Sequence, residues 1–399
     1  MSPTENYLPG FLALELDGDG AHPAAWRAAR HTPAELLTGD RIRSTVLAAE
    51  SAGFQIATFS DGPVLAGQEG NAGLDVAGRL DAVQRAAFAA PLTHSIILVP
   101  EVDTVYTEPF HVATQLASLD YVSGGRAGWL VAASGTEREG AAVGRAPVEG
   151  AALAAEAAAS VEVSRKLWDS WEDDAVIRDV ESGRYLDVDK LHYADFETGP
   201  EFPGTGYSVK GPAIIPRPLQ GQLPVVAPYG LIGGDGDGLE GGGLDVGGPD
   251  SGIDAVLVRA REVSELAAEV TRVRTLFAGQ VAVIAELDVV LDARGQSAAA
   301  RIAQLDSHTP WHSSGARYTG NAEGLVEVLT EILATAHGVR LHPAVLDVDL
   351  DELARLVLPV LRRRGVLAPT TTDATFRDLL GLDRPLSRYA AVEHQSVDF

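Results

Sequence analysis

Residues Ser95–Ser134 read SIILVPEVDTVYTEPFHVATQLASLDYVSGGRAGWLVAAS, and their pattern decides the fold. The apolar run Ser95–Val99 is followed by Val112, Leu116 and Leu119 at helical spacing, and then by a second apolar run, Gly128–Ala132. Runs that are apolar on both faces suit parallel strands covered by helices, so the stretch reads as strand, helix, strand. Working outward, Phe11–Leu16, Gln55–Phe59, Pro224–Ala227, Ala255–Val258, Val281–Leu291 and Val339–Leu341 bring the strands to eight. Helical stripes lie between them. Ile42, Val46 and Ala49 close at Gly53; Leu153, Ala157, Val161, Leu167 and Trp171 follow the fourth strand; Val263, Leu266, Val270 and Val273 follow the sixth. Leu325, Leu329, Ile332 and Ala336 precede Gly338, and Leu350, Leu353, Val357 and Leu361 precede Gly365, each glycine suiting a helix C-cap. Eightfold alternation fits an α/β fold of the (β/α)8 TIM-barrel type better than an open doubly wound sheet.

Two segments break the alternation. Trp168–Gln222, rich in Asp, Gly, Pro and aromatic residues, reads as an insertion after the fourth helix that lies over one end of the barrel. Tyr229–Gly252 holds 11 glycines and five acids in 24 residues with no base, which predicts a flexible loop after strand five. The expectation is a single domain over 1–399. With 31 basic against 56 acidic residues the formal charge is −25, which opposes binding to nucleic acid. The absence of cysteine excludes thiol nucleophiles, disulfides and iron–sulfur ligation. No apolar stretch reaches the about 18 residues of a membrane span, since even Val281–Leu291 is broken by acids. Without an export signal at the amino terminus, a cytoplasmic protein is expected.

Four blocks carry a resemblance. They are TEPFHVATQLASLDYVSGGRAGW (Thr107–Trp129), LWDSWEDDAVIRDVESGRYLDVDKLHY (Leu167–Tyr193), YSVKGPAIIPRPLQGQLPVV (Tyr207–Val226), and VLPVLRRRGVL with TFRDLLGLDRP (Val357–Leu367, Thr375–Pro385). Together they resemble the bacterial luciferase-like flavin monooxygenases, in the branch of the nitrilotriacetate and dibenzothiophene-sulfone monooxygenases. The resemblance implies a barrel that takes reduced FMN from a separate NAD(P)H:flavin reductase, uses O2, and inserts one oxygen atom into a small organic substrate. It also implies a homodimer or higher oligomer, and a cofactor that carries the oxygen chemistry in a chain without metal ligands. A divergent barrel acting as a non-catalytic partner, and a deazaflavin-dependent oxidoreductase, are the alternatives.

Residues at strand ends are the site candidates, because barrel enzymes work at the carboxyl ends of their strands. His22, after strand one, is similar to a histidine the family places beside the flavin, and imidazole donates or accepts protons near neutral pH. Otherwise it is a loop histidine on a backbone carbonyl. Asp61 ends strand two and resembles a family aspartate near the ring, although Asp before Gly is also ordinary turn chemistry. Asp103 and Thr104 follow strand three, and Thr104 is the better contact because its hydroxyl can donate. Ser134 ends strand four, where relatives place a serine near the FMN phosphate. Tyr229 and Gly230, at the end of strand five, complete the cofactor set. Trp168 and Trp171, at helical spacing, read as core. Asp17 and Asp19 complete no calcium loop.

The sequence departs from the family after strand five. Relatives continue into a Ser-Gly turn that opens a phosphate-binding helix, whereas here VVAPYG runs into the acidic glycine loop. The expectation is that FMN is bound weakly.

Overall fold

The computed structural model describes residues 9–64, 78–198, 206–232 and 252–390. In chain order the first elements are β1 (Phe11–Glu15), α1 (Gly39–Ala52), β2 (Ile56–Phe59), α2 (Ala82–Ala89), β3 (Ile97–Asp103), α3 (Pro109–Ser123) and β4 (Trp129–Ala132). Then come α4 (Glu137–Val143), α5 (Gly150–Asp169), β5 (Val176–Asp179), β6 (Arg184–Leu186), β7 (Phe196–Glu197), β8 (Ser208–Val209) and β9 (Val225–Pro228). The last are β10 (Ala255–Val258), α6 (Leu266–Leu276), β11 (Ala282–Leu291), α7 (Ala298–Asp306), β12 (Arg317–Gly320), α8 (Ala322–Leu333) and β13 (Gly338–Pro343). They are followed by α9 (Leu346–Glu352), α10 (Leu358–Arg363) and α11 (Phe376–Leu380). β1, β2, β3, β4, β9, β10, β11 and β13 are the eight strands that the apolar runs predict, in the strand–helix order of a (β/α)8 barrel.

The chain forms two compact units. The described residues of the first are 9–60, 78–99 and 255–372; those of the second are 61–64, 100–198, 206–232, 252–254 and 373–390.

In the first unit β2, β1, β13 and β11 are neighbours in parallel register, with Ala13 opposite Ile56, Leu12 opposite Val339 and Glu286 opposite Arg340. β11 is long because it serves two strands on one edge. Ala282–Ala285 pair with β10, and Asp288–Leu291 pair with β12. α1 starts where the Thr38 hydroxyl accepts from the Arg41 N–H and stops at Gly53, whose φ of 87° is the left-handed cap that glycine allows. Leu266, Val270 and Val273 of α6, and Leu325, Leu329 and Ile332 of α8, are buried as their spacing predicts.

Gly338 has a different role from the cap its position suggests. α8 ends at Leu333, and Gly338 opens β13 directly opposite Phe11, where a Cβ would lie 2.2 Å from the buried ring. Gly338→Ala is therefore expected to lose about 1–3 kcal/mol through overpacking, read as a lower midpoint in urea. An unchanged midpoint would mean that Phe11 moves aside at no cost.

In the second unit β4 lies between the end of β3 and β9, with Asp103 opposite Ala132 and Leu130 opposite Val226. β3 runs past Val99 through Pro100 and includes Asp103, so this aspartate closes the strand instead of following it. The segment read as an insertion starts slightly later than expected, since Trp168 belongs to the last turn of α5. It contributes two antiparallel pairs, β5–β6 and β7–β8. Trp168 and Trp171 are core residues, their indole N–H groups donating to the carbonyls of Ala113 (3.0 Å) and Ala213 (2.7 Å). Residues 233–251, most of the acidic glycine loop, lie outside the described residues; Tyr229–Leu231 form one 3-10 turn after β9.

Candidate active site

Alternation along a strand puts residues two apart on one face, and four strands of the first unit use that face for polar or charged side chains. Glu286 and Asp288 on β11 stand beside Arg340 and His342 on β13, in register pair by pair. Glu15 on β1 and Thr58 on β2 continue the layer. Arg340 ties it together, donating to Glu15, to Glu286 (2.9 Å) and to the Thr58 hydroxyl (2.9 Å). Glu286 also accepts from His342 Nε2 (3.1 Å) and from Arg259 Nε (2.5 Å) and Nη2 (3.2 Å), just beyond β10. Burial alone would raise the carboxyls of Glu286 and Glu15. Arg259, His342 and Arg340 outweigh it at Glu286 and hold that group well below the usual carboxylate range; Arg340 and His342 lower Glu15.

Above this layer opens a cavity of about 750 Å³. On one wall, Asp288 accepts from the Ser313 hydroxyl, and burial raises its carboxyl despite that bond and the nearby His342. Opposite charges are internally satisfied: Asp17 accepts from Arg79 (2.6 Å) and Arg85 (3.3 Å), while Asp19 accepts from His31 (2.5 Å) and Arg41 (3.4 Å). This is why the two aspartates after β1 are not a cation site. Trp26, Phe59 and Trp311 add aromatic surface, and the Arg317 guanidinium lies 3.7 Å over the Trp311 ring.

His22 lines this cavity and is 1% exposed. Its Nδ1 accepts the Ala24 N–H (3.0 Å), which leaves the proton on Nε2, 3.1 Å from Asp306 Oδ1. The ring tilts against Trp311 at a centroid distance of 5.5 Å.

The cofactor candidates Asp61, Asp103, Thr104, Ser134, Tyr229 and Gly230 all belong to the second unit. Asp103 spends both oxygens on backbone, accepting the N–H of Ser134 (2.7 Å) and of Tyr106 (2.8 Å), so it shapes the turns beyond β3 and β4. Thr104 donates its hydroxyl to the Ala132 carbonyl (2.8 Å) and keeps accepting capacity. The Ser134 hydroxyl has no hydrogen-bond partner among the described residues and is therefore a donor still to be used. Asp61 Oδ1 accepts the Gly62 N–H (2.8 Å) in a local turn. Tyr229 and Gly230 form the 3-10 turn after β9.

Sequence reading named His22 but missed Glu15, Glu286, Asp288, Arg340 and His342. The signal was present, as acids at i and i+2 within Val281–Leu291 and bases at i and i+2 within GVRLHP. Among the described residues there is no cluster of side chains that could hold a metal ion, and no helix is long and apolar enough to cross a membrane.

The chain is 26% identical to the N-acetyl-S-(2-succino)cysteine monooxygenase of Bacillus subtilis (strain 168), over 95% of this chain and 98% of the relative. It is 39% identical to component A of the nitrilotriacetate monooxygenase of Aminobacter aminovorans, over 36% of this chain and 30% of that one. Among solved structures, the EDTA monooxygenase of Chelativorans sp. BNC1 superposes with a TM-score of 0.74 at 18% identity, covering 94% of this chain and 99% of that chain. A riboflavin lyase, solved with modified FMN and its substrate riboflavin, gives 0.72 at 22% identity, covering 96% and 98%. The family model for luciferase-like monooxygenases matches residues 21–358. The chain belongs to the luciferase-like monooxygenase family.

Proposed function

We propose that this chain is the oxygenating component of a two-component monooxygenase, using reduced FMN from a separate flavin reductase to insert one atom of O2 into a small organic substrate. The observation that carries the proposal is the match of the luciferase-like monooxygenase model across residues 21–358, supported by a full-length relative named as a monooxygenase. Reduced flavin, when bound, supplies the electrons that activate oxygen.

The strand ends of the second unit would fit a flavin through the Ser134 hydroxyl, which has no hydrogen-bond partner among the described residues. That hydroxyl would donate to the phosphate, Thr104 would accept from the ring system, and Asp61, Tyr229 and Gly230 would complete the contact surface. Asp103 acts as a positioning residue by holding the Ser134 backbone. His22 is assigned the proton-transfer role, which requires its Nε2–H to leave Asp306, because Nδ1 is held by the Ala24 N–H.

Retention is expected to be weak, because the sequence after strand five lacks the Ser-Gly turn that opens the family's phosphate-binding helix. Titration with FMN and riboflavin at fixed ionic strength is expected to give a preference for FMN below about tenfold, which corresponds to less than about 1.4 kcal/mol. A preference above about a hundredfold would show a strong phosphate site and overturn the weak-binding assignment. Binding of neither flavin would overturn the monooxygenase proposal, and binding of a deazaflavin cofactor alone would replace it.

A further inference from the structure

We infer that Arg259 is the anchor of a carboxylate-binding subsite in the cavity of the first unit, and that the substrate is a small organic acid. This names the substrate class of the proposed monooxygenase and rests on the cavity being its substrate site.

A guanidinium has two edges that can each grip an oxyanion in a bidentate manner, one formed by Nε and Nη2 and the other by Nη1 and Nη2. Glu286 occupies the first edge of Arg259, at 2.5 Å from Nε and 3.2 Å from Nη2. Glu286 is itself 4% exposed and gripped by Arg340 and His342, so it holds Arg259 in one orientation. The second edge is open. Among the described residues its Nη1 meets only the exposed hydroxyl of Ser314, at 3.3 Å, and the side chain stays 51% exposed on the cavity wall. An arginine fixed on one side by a buried carboxylate and bare on the other is preorganised for a second carboxylate, since the ordering cost is already met within the fold.

The other cavity arginines differ. Arg79 and Arg85 are spent on Asp17, and Arg41 on Asp19 and Asp347. Beside Arg259 the wall offers a further donor in the Ser314 hydroxyl, while the nearby carboxylates are already engaged, Glu286 by Arg259, Arg340 and His342 and Asp288 by the Ser313 hydroxyl. Trp26, Phe59 and Trp311 supply apolar surface for the rest of the ligand.

The test is a titration of the full chain, without flavin, at pH 7 and constant ionic strength, read by calorimetry. Phenylacetate and succinate are compared with the neutral phenylacetamide and succinamide. At least one acid is expected to bind about tenfold or more tightly than its amide, the scale of one charge-assisted bidentate pair. Arg259→Gln should abolish that preference, and Arg259→Lys, which keeps the charge but loses the planar edge, should restore only part of it. Arg272→Gln, on the exposed face of α6, should leave it intact. Thermal unfolding of each variant identifies a folding defect, and the lysine variant keeps the test decisive if the glutamine variant is unstable. Equal binding of acids and amides, or a preference that survives both Arg259 variants, would overturn the proposal. So would a loss of FMN affinity in Arg259→Gln with riboflavin binding unchanged, which would give the open edge to the cofactor's phosphate. Failure of the monooxygenase assignment would appear separately, as absence of flavin binding in the wild-type chain.

Discussion

Asp349→Asn is expected to destabilise the protein by about 3 kcal/mol or more at pH 7, because it breaks a buried ion pair and strands its partners. Asp349 is fully buried on α9, and its carboxylate collects three donors: the Leu291 N–H (2.9 Å), Arg301 Nη2 (2.9 Å) and the Val345 N–H (2.9 Å). It thereby ties the end of β11 and the end of β13 to α7, whose Arg301 is itself 2% exposed. An asparagine presents one acceptor and one NH2, so its amide protons face groups that are already donors. Equilibrium urea unfolding measures the loss. The pH dependence gives a second check. Burial raises the Asp349 carboxyl to about 6 despite Arg301, compared with 3.8 for a free aspartate. The folded state therefore binds this proton more tightly than the unfolded state, and wild-type stability from this group declines as pH rises from about 4 to 6. The asparagine variant lacks that decline, so the gap between the two proteins should be widest near pH 4 and narrow toward pH 6. A gap that widened over this interval would contradict the assignment.

The strands of this fold were legible because burial on both faces leaves apolar runs that few other structures require. Ser95–Val99 and Gly128–Ala132 fall within or beside β3 and β4, and Ala255–Val258 coincides with β10. Helix ends were less legible where glycine serves packing. Gly338 looked like a cap because it follows an amphipathic stripe, but it is required by the Phe11 ring on the neighbouring strand, a partner more than three hundred residues away in sequence. The charged layer was hidden for a related reason. Glu286 and Asp288 interrupt an apolar run and read first as obstacles to a membrane span. Only the register of β11 against β13 shows that Arg340 and His342 face them. Opposite charges on non-sequential strands give no local pattern, and His22 came from the family resemblance, not from its own surroundings. The roles of Asp61, Thr104 and Ser134 came from resemblance, and the geometry adds which of their atoms are already engaged.

Glu286→Gln should have the other large effect. Its two oxygens receive Arg259, Arg340 and His342, and removing the negative charge leaves these groups around a neutral amide whose NH2 points at donors. The expected loss is about 3–5 kcal/mol, the range for removing one partner of a buried pair. Arg340 keeps Glu15, so the layer should loosen at the β11 side first, where Arg259 and His342 lose their common acceptor. The sign with pH is opposite to that of Asp349. Because the folded-state carboxyl of Glu286 lies well below the usual range, its contribution is present at neutral pH and is lost only as pH falls below that of ordinary carboxylates. Wild type and variant should therefore differ by a constant amount between pH 6 and 8 and converge in strong acid. A double-mutant cycle with Arg340→Met isolates the pair, with a coupling of about 0.5–3 kcal/mol expected for residues sharing one network. Additive losses would mean that the two side chains act independently, and the charged layer would then not be the unit that shapes the cavity floor.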